Sequence, residues 1–456
     1  MKRSHEIDMT TGPIFSKILM FVLPLMASGI LQLLFNAADV IVVGKFAGSL
    51  ALAAVGSNGA LINLFVNVFI GISTGANVLV ARFYGSHEYN DLNRCVHCSV
   101  AISGVLGIIV AFLGFTLSTP MLKLMNADPQ VLPLASLYLK IYFLGIPATL
   151  VYNFGAAILR AVGDTERPLR FLIIAGVINV VLNLIFVIVF HMSVAGVGIA
   201  TAVSQYVSAF LVVRCLVHSD GVYQLRIKDV RFYKDMLLRI IQIGIPAGLQ
   251  SSIFSLSNVL IQSSINSFGY ITMAANSAAG NLDGFIYISI NSVHHAALSF
   301  TSQNYGARQY ARIKRIFLLC SVTVFSIGFI MGSVFNLFAS QLLSLYISSS
   351  DPDQTAIIAT GIIRLRVVGM SYCLCGLMDT FTGFLRGLGK SWSPLIISAF
   401  GACVFRVVWI FTVFAVYRSL DILYLSYPIS WTITPIVQTI VLIRTYKKQC
   451  KLPNTV

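Results

Sequence analysis

Charge is what this chain lacks. Only 10% of its 456 residues are Asp, Glu, Lys or Arg, against 57% that are apolar. A water-soluble domain carries about 25% charged residues, so this one has too little polar surface to fold in water. A disulfide framework is missing too: the eight cysteines are scattered, mostly within apolar stretches. The lone CxxC, Cys95 and Cys98, has no further ligands at zinc spacing. No HExxH, paired-aspartate metal motif or nucleophile–base set is present, which argues against an enzyme. Gly71 to Gly75 matches GxSxG but lies in an apolar span, where small residues serve close packing. Gly387 to Ser391 reads GLGKS, yet Phe384 stands where a phosphate loop needs its first glycine. Met1 to Pro13 is polar and leads straight into a long apolar run, so no removable signal peptide is expected.

Long apolar runs are what is there. Each is long enough to cross a bilayer as a helix, and the absence of period-two alternation excludes barrel strands. Twelve spans are expected, near 15–43, 50–81, 96–117, 134–158, 169–190, 194–217, 237–266, 271–303, 316–345, 357–384, 394–417 and 422–443. The net charge of +15 invites a nucleic-acid reading, but its placement argues for topology instead. Of 31 Lys and Arg, 24 fall at the termini, in the even-numbered loops or within four residues of the span ends that adjoin them, and only Lys45, Lys123 and Arg418 fall in odd-numbered loops. Lys140, Arg364, Arg366 and Arg406 lie in or at the ends of spans. The positive-inside rule then expects a multi-pass plasma (inner) membrane protein with both termini cytoplasmic.

The chain repeats itself. Pro24 and Asn36 recur 222 residues on as Pro246 and Asn258; Tyr84-Gly85 and Arg94 recur after 221 as Tyr305-Gly306 and Arg315. Leu159-Arg160, Gly163 and Pro168 recur after 226 as Leu385-Arg386, Gly389 and Pro394. Six spans per half give both halves the same orientation, hence a pseudo-two-fold axis along the membrane normal. The expected fold is all-α, with an N-lobe over 1–217, a cytoplasmic linker over 218–236 and a C-lobe over 237–456. A cleft between such lobes suits a transporter.

Only three of the sixteen carboxylates, Asp39, Asp283 and Asp379, lie within spans. A charge in hydrocarbon costs about 2.5–3.5 kcal/mol on insertion scales, so such groups face a cavity or a partner. Ser28, Gln32, Asn36 and Asp39 share one helical face; so do Asn276, Asp283, Tyr287 and His294, and also Tyr372, Cys375, Asp379, Thr382 and Arg386. Asp39 is the first candidate, because no basic residue lies within a turn of it toward the membrane centre, and it can take a proton or a sodium ion. Asn179, Asn183 and Thr201 offer further hard oxygens for Na+, or else interhelical hydrogen bonds. Asp283 has Tyr287 and His294 as expected partners, and Asp379 has Arg386. Pro24, Pro246 and Pro147 interrupt spans one, seven and four, where they tend to kink them.

The segment Pro24 to Asp39, PLMASGILQLLFNAAD, continues as VIVVGKFAG and ALAAVG and resembles the opening of the multidrug and toxic compound extrusion (MATE) family. LRAVGDTERP (159–168) and LRGLGKSWSP (385–394) are similar to that family's two cytoplasmic fourth-helix ends. The resemblance spans residues 13 to 445. It implies a two-lobed twelve-helix exporter of small organic, often cationic, drug-like compounds in exchange for H+ or Na+, without a cofactor. It also implies that Asp39 couples the cation, with Asn179, Asn183 and Thr201 around it. Asn183 departs from members that carry an aspartate there, which leaves H+ and Na+ both open. Gln32, Asn36, Asn258, Asp283, Tyr287, His294 and Asp379 are the substrate-cleft candidates, and a monomer is expected. The alternative is a lipid-linked precursor flippase of the same superfamily, which would want a cluster of basic residues inside the spans; none is legible here.

Overall fold

The computed structural model describes residues 6–125, 128–347 and 352–449. Among them all regular structure is helical, as lipid requires of a backbone that has no outside hydrogen-bond partners. The first half comprises α1 (Ile14–Phe46), α2 (Ser49–Ser86), α3 (Tyr89–Leu124), α4 (Leu132–Ala161), α5 (Glu166–Leu184, prolonged by a π-helical turn Ile185–Val189) and α6 (Ser193–Val217). The second opens with α7 (Lys234–Asn266), α8 (Tyr270–Gly306) and α9 (Tyr310–Leu337), which a short α10 (Ala339–Ser344) follows. Its tenth span is α11 (Gln354–Val367) and α12 (Tyr372–Gly387), broken by a 3-10 turn at Gly369–Ser371. The eleventh joins α13 (Trp392–Ser398), a π-helical turn Ala399–Val404, α14 (Phe405–Phe411) and α15 (Val413–Val416); α16 (Leu420–Gln449) is the last.

Among the described residues eleven stretches are long and apolar enough to cross a membrane, one fewer than the twelve expected. The exception is α8. Its 37 residues are ample, but Asn276, Asp283, Asn291 and His294 dilute its hydropathy. On α3, Val105, Ile108, Ile109 and Phe112 recur at helical spacing with their side chains exposed, as a lipid-facing stripe must.

The helices form two compact units, Met1–Asp8 with Ala27–Gly248, and Met9–Met26 with Leu249–Val456. The dividing points thus lie inside α1 and α7 rather than in the 218–236 linker. The cause in the first unit is close packing of small residues: a Cβ on Gly71 or Gly75 of α2 would collide with the backbone at Gly248 or Ile240 of α7. Gly244 and Gly248 lie equally close to Ile72 and Val68. The Gly71–Gly75 motif therefore packs helices. Pro24 and Pro246 lie inside the continuous helices α1 and α7 just before Met26 and Gly248, where the helices pass from one unit to the other.

The internal duplication is visible in the backbone. Gly48 and Gly269 (φ 91 and 92), His87 and Arg308 (φ 60 and 56), and Gly163 and Gly389 (φ 92 and 84) adopt left-handed conformations at the repeat spacings. Packing repeats as well: α4 lies against α2, α3 and α6, and α12 lies against α8, α9 and α16. In the first unit the apolar core gathers Tyr138, Leu139, Phe143 and Ile146 of α4 around Val43, Ala54 and Val197.

Candidate functional site

The polar face of α1 opens onto a cavity of about 330 Å³ inside the first unit. Gln32, Asn36 and Asp39 line it together with Asn179 of α5 and Thr201 of α6. The Asp39 carboxylate is half-buried and accepts a hydrogen bond from Asn183 Nδ2. The same Nδ2 lies 3.3 Å from Asn179 Oδ1, and Asn179 Nδ2 donates to Thr201 Oγ1 at 3.4 Å. The four residues foreseen as a cation site are thus joined in one hydrogen-bonded chain.

Two features give this chain chemical potential. Among the described residues no Lys or Arg pairs with Asp39; the exposed Lys45 lies six positions further along α1. Asn183 Oδ1 is fully buried with no hydrogen-bond donor. A carboxylate without a cation and an amide oxygen without a donor are what an incoming proton or hard metal ion would satisfy. Reasoning from sequence passed over other polar residues of this cavity, among them Asn67, Asn153, Gln205 and Ser208. The signal for the last two was present, since Thr201, Gln205 and Ser208 follow helical spacing in an apolar span.

The second unit holds the remaining candidates, and here three expected partners are corrected. Asp283 is buried against Arg364, with Nε and Nη2 donating to Oδ2 at 2.9 and 2.8 Å. Tyr287 points elsewhere, its side chain exposed, and His294 donates through Nδ1 to the Asp379 carbonyl at 2.6 Å. Arg364 also donates to Asn276 Oδ1 at 2.5 Å, which Tyr424 supports at 3.3 Å. Two facing acceptors select the fork-shaped guanidinium. Arg386 donates to Gln250 Oε1 at 2.7 Å rather than pairing with Asp379. Among the described residues no hydrogen bond or ion pair holds the half-buried Asp379 carboxylate. Asn258 is exposed on α7. Arg364, Arg386 and Arg406 are all buried in this unit.

Comparison with known proteins agrees with this architecture. A family model described as MatE matches residues 24–185 and 246–412, one copy in each half. The chain is 28% identical to the probable multidrug resistance protein YpnP of Bacillus subtilis (strain 168), over 88% of each sequence. It is 23% identical to the multidrug export protein MepA of Staphylococcus aureus (strain N315), over 90% of each. Its fold superposes with a TM-score of 0.90, at 22% identity, on the outward-facing conformation of a multidrug resistance MATE family transporter of the MOP superfamily, covering 99% of this chain and 100% of that one.

Proposed function

This chain belongs to the MatE family, and from that premise we propose that it exports small organic compounds across the plasma membrane, driven by a cation that binds at Asp39. The single observation that carries this reading is the half-buried Asp39 carboxylate, which lines a partly open cavity and has no basic partner among the described residues. The relatives named as multidrug export and resistance proteins supply the substrate class. In this reading both termini face the cytoplasm, as the placement of Lys and Arg asks.

The driving step is competition for one negative site. When the cavity opens outward, a proton or Na+ neutralises Asp39 and removes the reason for Asn183 to orient its amide NH2 toward the carboxylate. The chain through Asn179 and Thr201 then reorders, and the cavity changes its affinity for an organic cation. When the cavity opens to the cytoplasm, the cation leaves and the charge reappears. Exchange follows because the ligand and the ion stabilise different states of one equilibrium. Na+ is favoured by the unpartnered Asn183 Oδ1 as a hard ligand. H+ is favoured by the single carboxylate, since sodium sites commonly use more negative charge. Proteoliposomes with pH and Na+ gradients imposed separately test this reading. Efflux that follows neither gradient would sink it.

A further inference from the structure

The repeat gives the Asp39 site a counterpart of opposite polarity. In the first unit Asn179 of the fifth span donates to Thr201 of the sixth. Counting 227 and 229 residues on, within a few of the 226 that separates Pro168 from Pro394, gives Arg406 and Ser430. These also touch: Arg406 Nε donates to Ser430 Oγ at 3.0 Å. The spacing of 222 carries Asp39 onto Ile261, whose side chain is buried. Where one unit sets a carboxylate beside amide and hydroxyl groups, the other sets a guanidinium beside a hydroxyl, with the acid replaced by isoleucine.

Arg406 is 2% exposed and lies in a membrane span. Its guanidinium carbon sits 4.2 Å from the ring centre of Tyr427 and 5.4 Å from that of Trp431. Its Nη2 is fully buried with no acceptor, and among the described residues no carboxylate pairs with it. Asp283 is already held by Arg364. Three buried arginines therefore face two carboxylates in this interior, which leaves one positive charge over. Cation–π contact offsets only part of the cost of burying that charge. The π-helical turn Ala399–Val404 ends two residues before Arg406, and such irregular turns recur at functional sites.

We propose that Arg406 recognises the carboxylate of an aromatic substrate, with Tyr427 and Trp431 offering aromatic contacts beside it. One guanidinium with a free Nη2 matches one carboxylate in geometry and charge, and the rings of Tyr427 and Trp431, edge to face with one another at 5.3 Å, place aromatic surface beside it. That assignment as a substrate rests on the export reading; recognition of the anion does not.

The test is binding to the purified full chain, read by thermal shift and by titration, with naphthalene-2-carboxylate against naphthalene-2-carboxamide. Wild-type protein is expected to prefer the carboxylate at least tenfold, and Arg406→Gln to lose that preference. Equal binding of the two probes by wild-type protein overturns the proposal, as does a preference that survives in Arg406→Gln. Should that variant not fold, Ser430→Ala replaces it, with an expected drop of several-fold in the preference; no drop overturns the proposal. Tighter binding of diphenyl phosphate than of the carboxylate overturns the assigned anion class. Failure of the export reading shows separately, as absence of substrate flux in vesicles while the carboxylate preference persists.

Discussion

Asn183 on α5 donates its side-chain N–H to the Asp39 carboxylate on α1, a contact across 144 positions of sequence. That bond joins the residue on which energy coupling is argued to depend to a hydrogen-bonded chain running through Asn179 to Thr201. Asp39→Asn keeps the shape but removes the charge that a proton or Na+ must neutralise. Gradient-driven efflux should fall at least tenfold while the protein elutes as wild type in size-exclusion chromatography. Unchanged efflux in a well-folded variant would remove Asp39 from the mechanism.

Asn183→Asp should turn the site toward sodium. It replaces the donor with a second carboxylate beside the first, and two such charges cannot both stay ionised without a cation between them. Thermal stability of the purified variant should become strongly dependent on Na+, with a smaller response to K+. A variant whose melting temperature ignores Na+ would show that Asn183 does not face the ion.

The Asp283–Arg364 pair should behave as structure rather than as a coupling site. Arg364→Gln leaves a buried carboxylate uncompensated, a loss of about 3–5 kcal/mol in comparable buried pairs. Adding Asp283→Asn should recover most of the lost melting temperature. If the single variant were as stable as wild type, the pair would carry little of the fold.

Close packing of α2 on α7 gives the fourth prediction. Gly71→Leu or Gly248→Leu places a side chain where the facing backbone already lies. The cost should reach or exceed the roughly 1–3 kcal/mol of core overpacking, read as lost monodisperse protein after solubilisation. Gly104→Leu on α3 is the control, because no atom lies within 4 Å of its added Cβ. Equal loss in all three would refute the packing role.

The sequence made the α-helical class legible because hydrocarbon leaves the backbone few alternatives, and the duplication legible because glycines and prolines kept their spacing. The Asp39 group was readable for a similar reason: polar residues at helical spacing in an apolar span have to face one another. Arg364 was different. It was visible within a span, yet 81 positions separate it from Asp283, and helical spacing says nothing about which neighbour packs there. Tyr287 and His294 are nearer in sequence and share the helical face of Asp283, which is why spacing points to them. From sequence Arg406 is legible only as an intramembrane charge; its isolation depends on where the acids lie in space. The α8 span was read correctly as a helix from its length, although its polar face lowers its hydropathy.

Met9–Met26 groups with residues from Leu249 onward, and the opening of α7 up to Gly248 groups with the other unit. A duplicated gene with this pattern descends most simply from a homodimer whose two copies traded the beginnings of their first helices. Fusion would have made the trade permanent. If the chain were severed between Ser219 and Tyr233, neither fragment would hold everything its unit requires, so activity should return only when both are synthesised together.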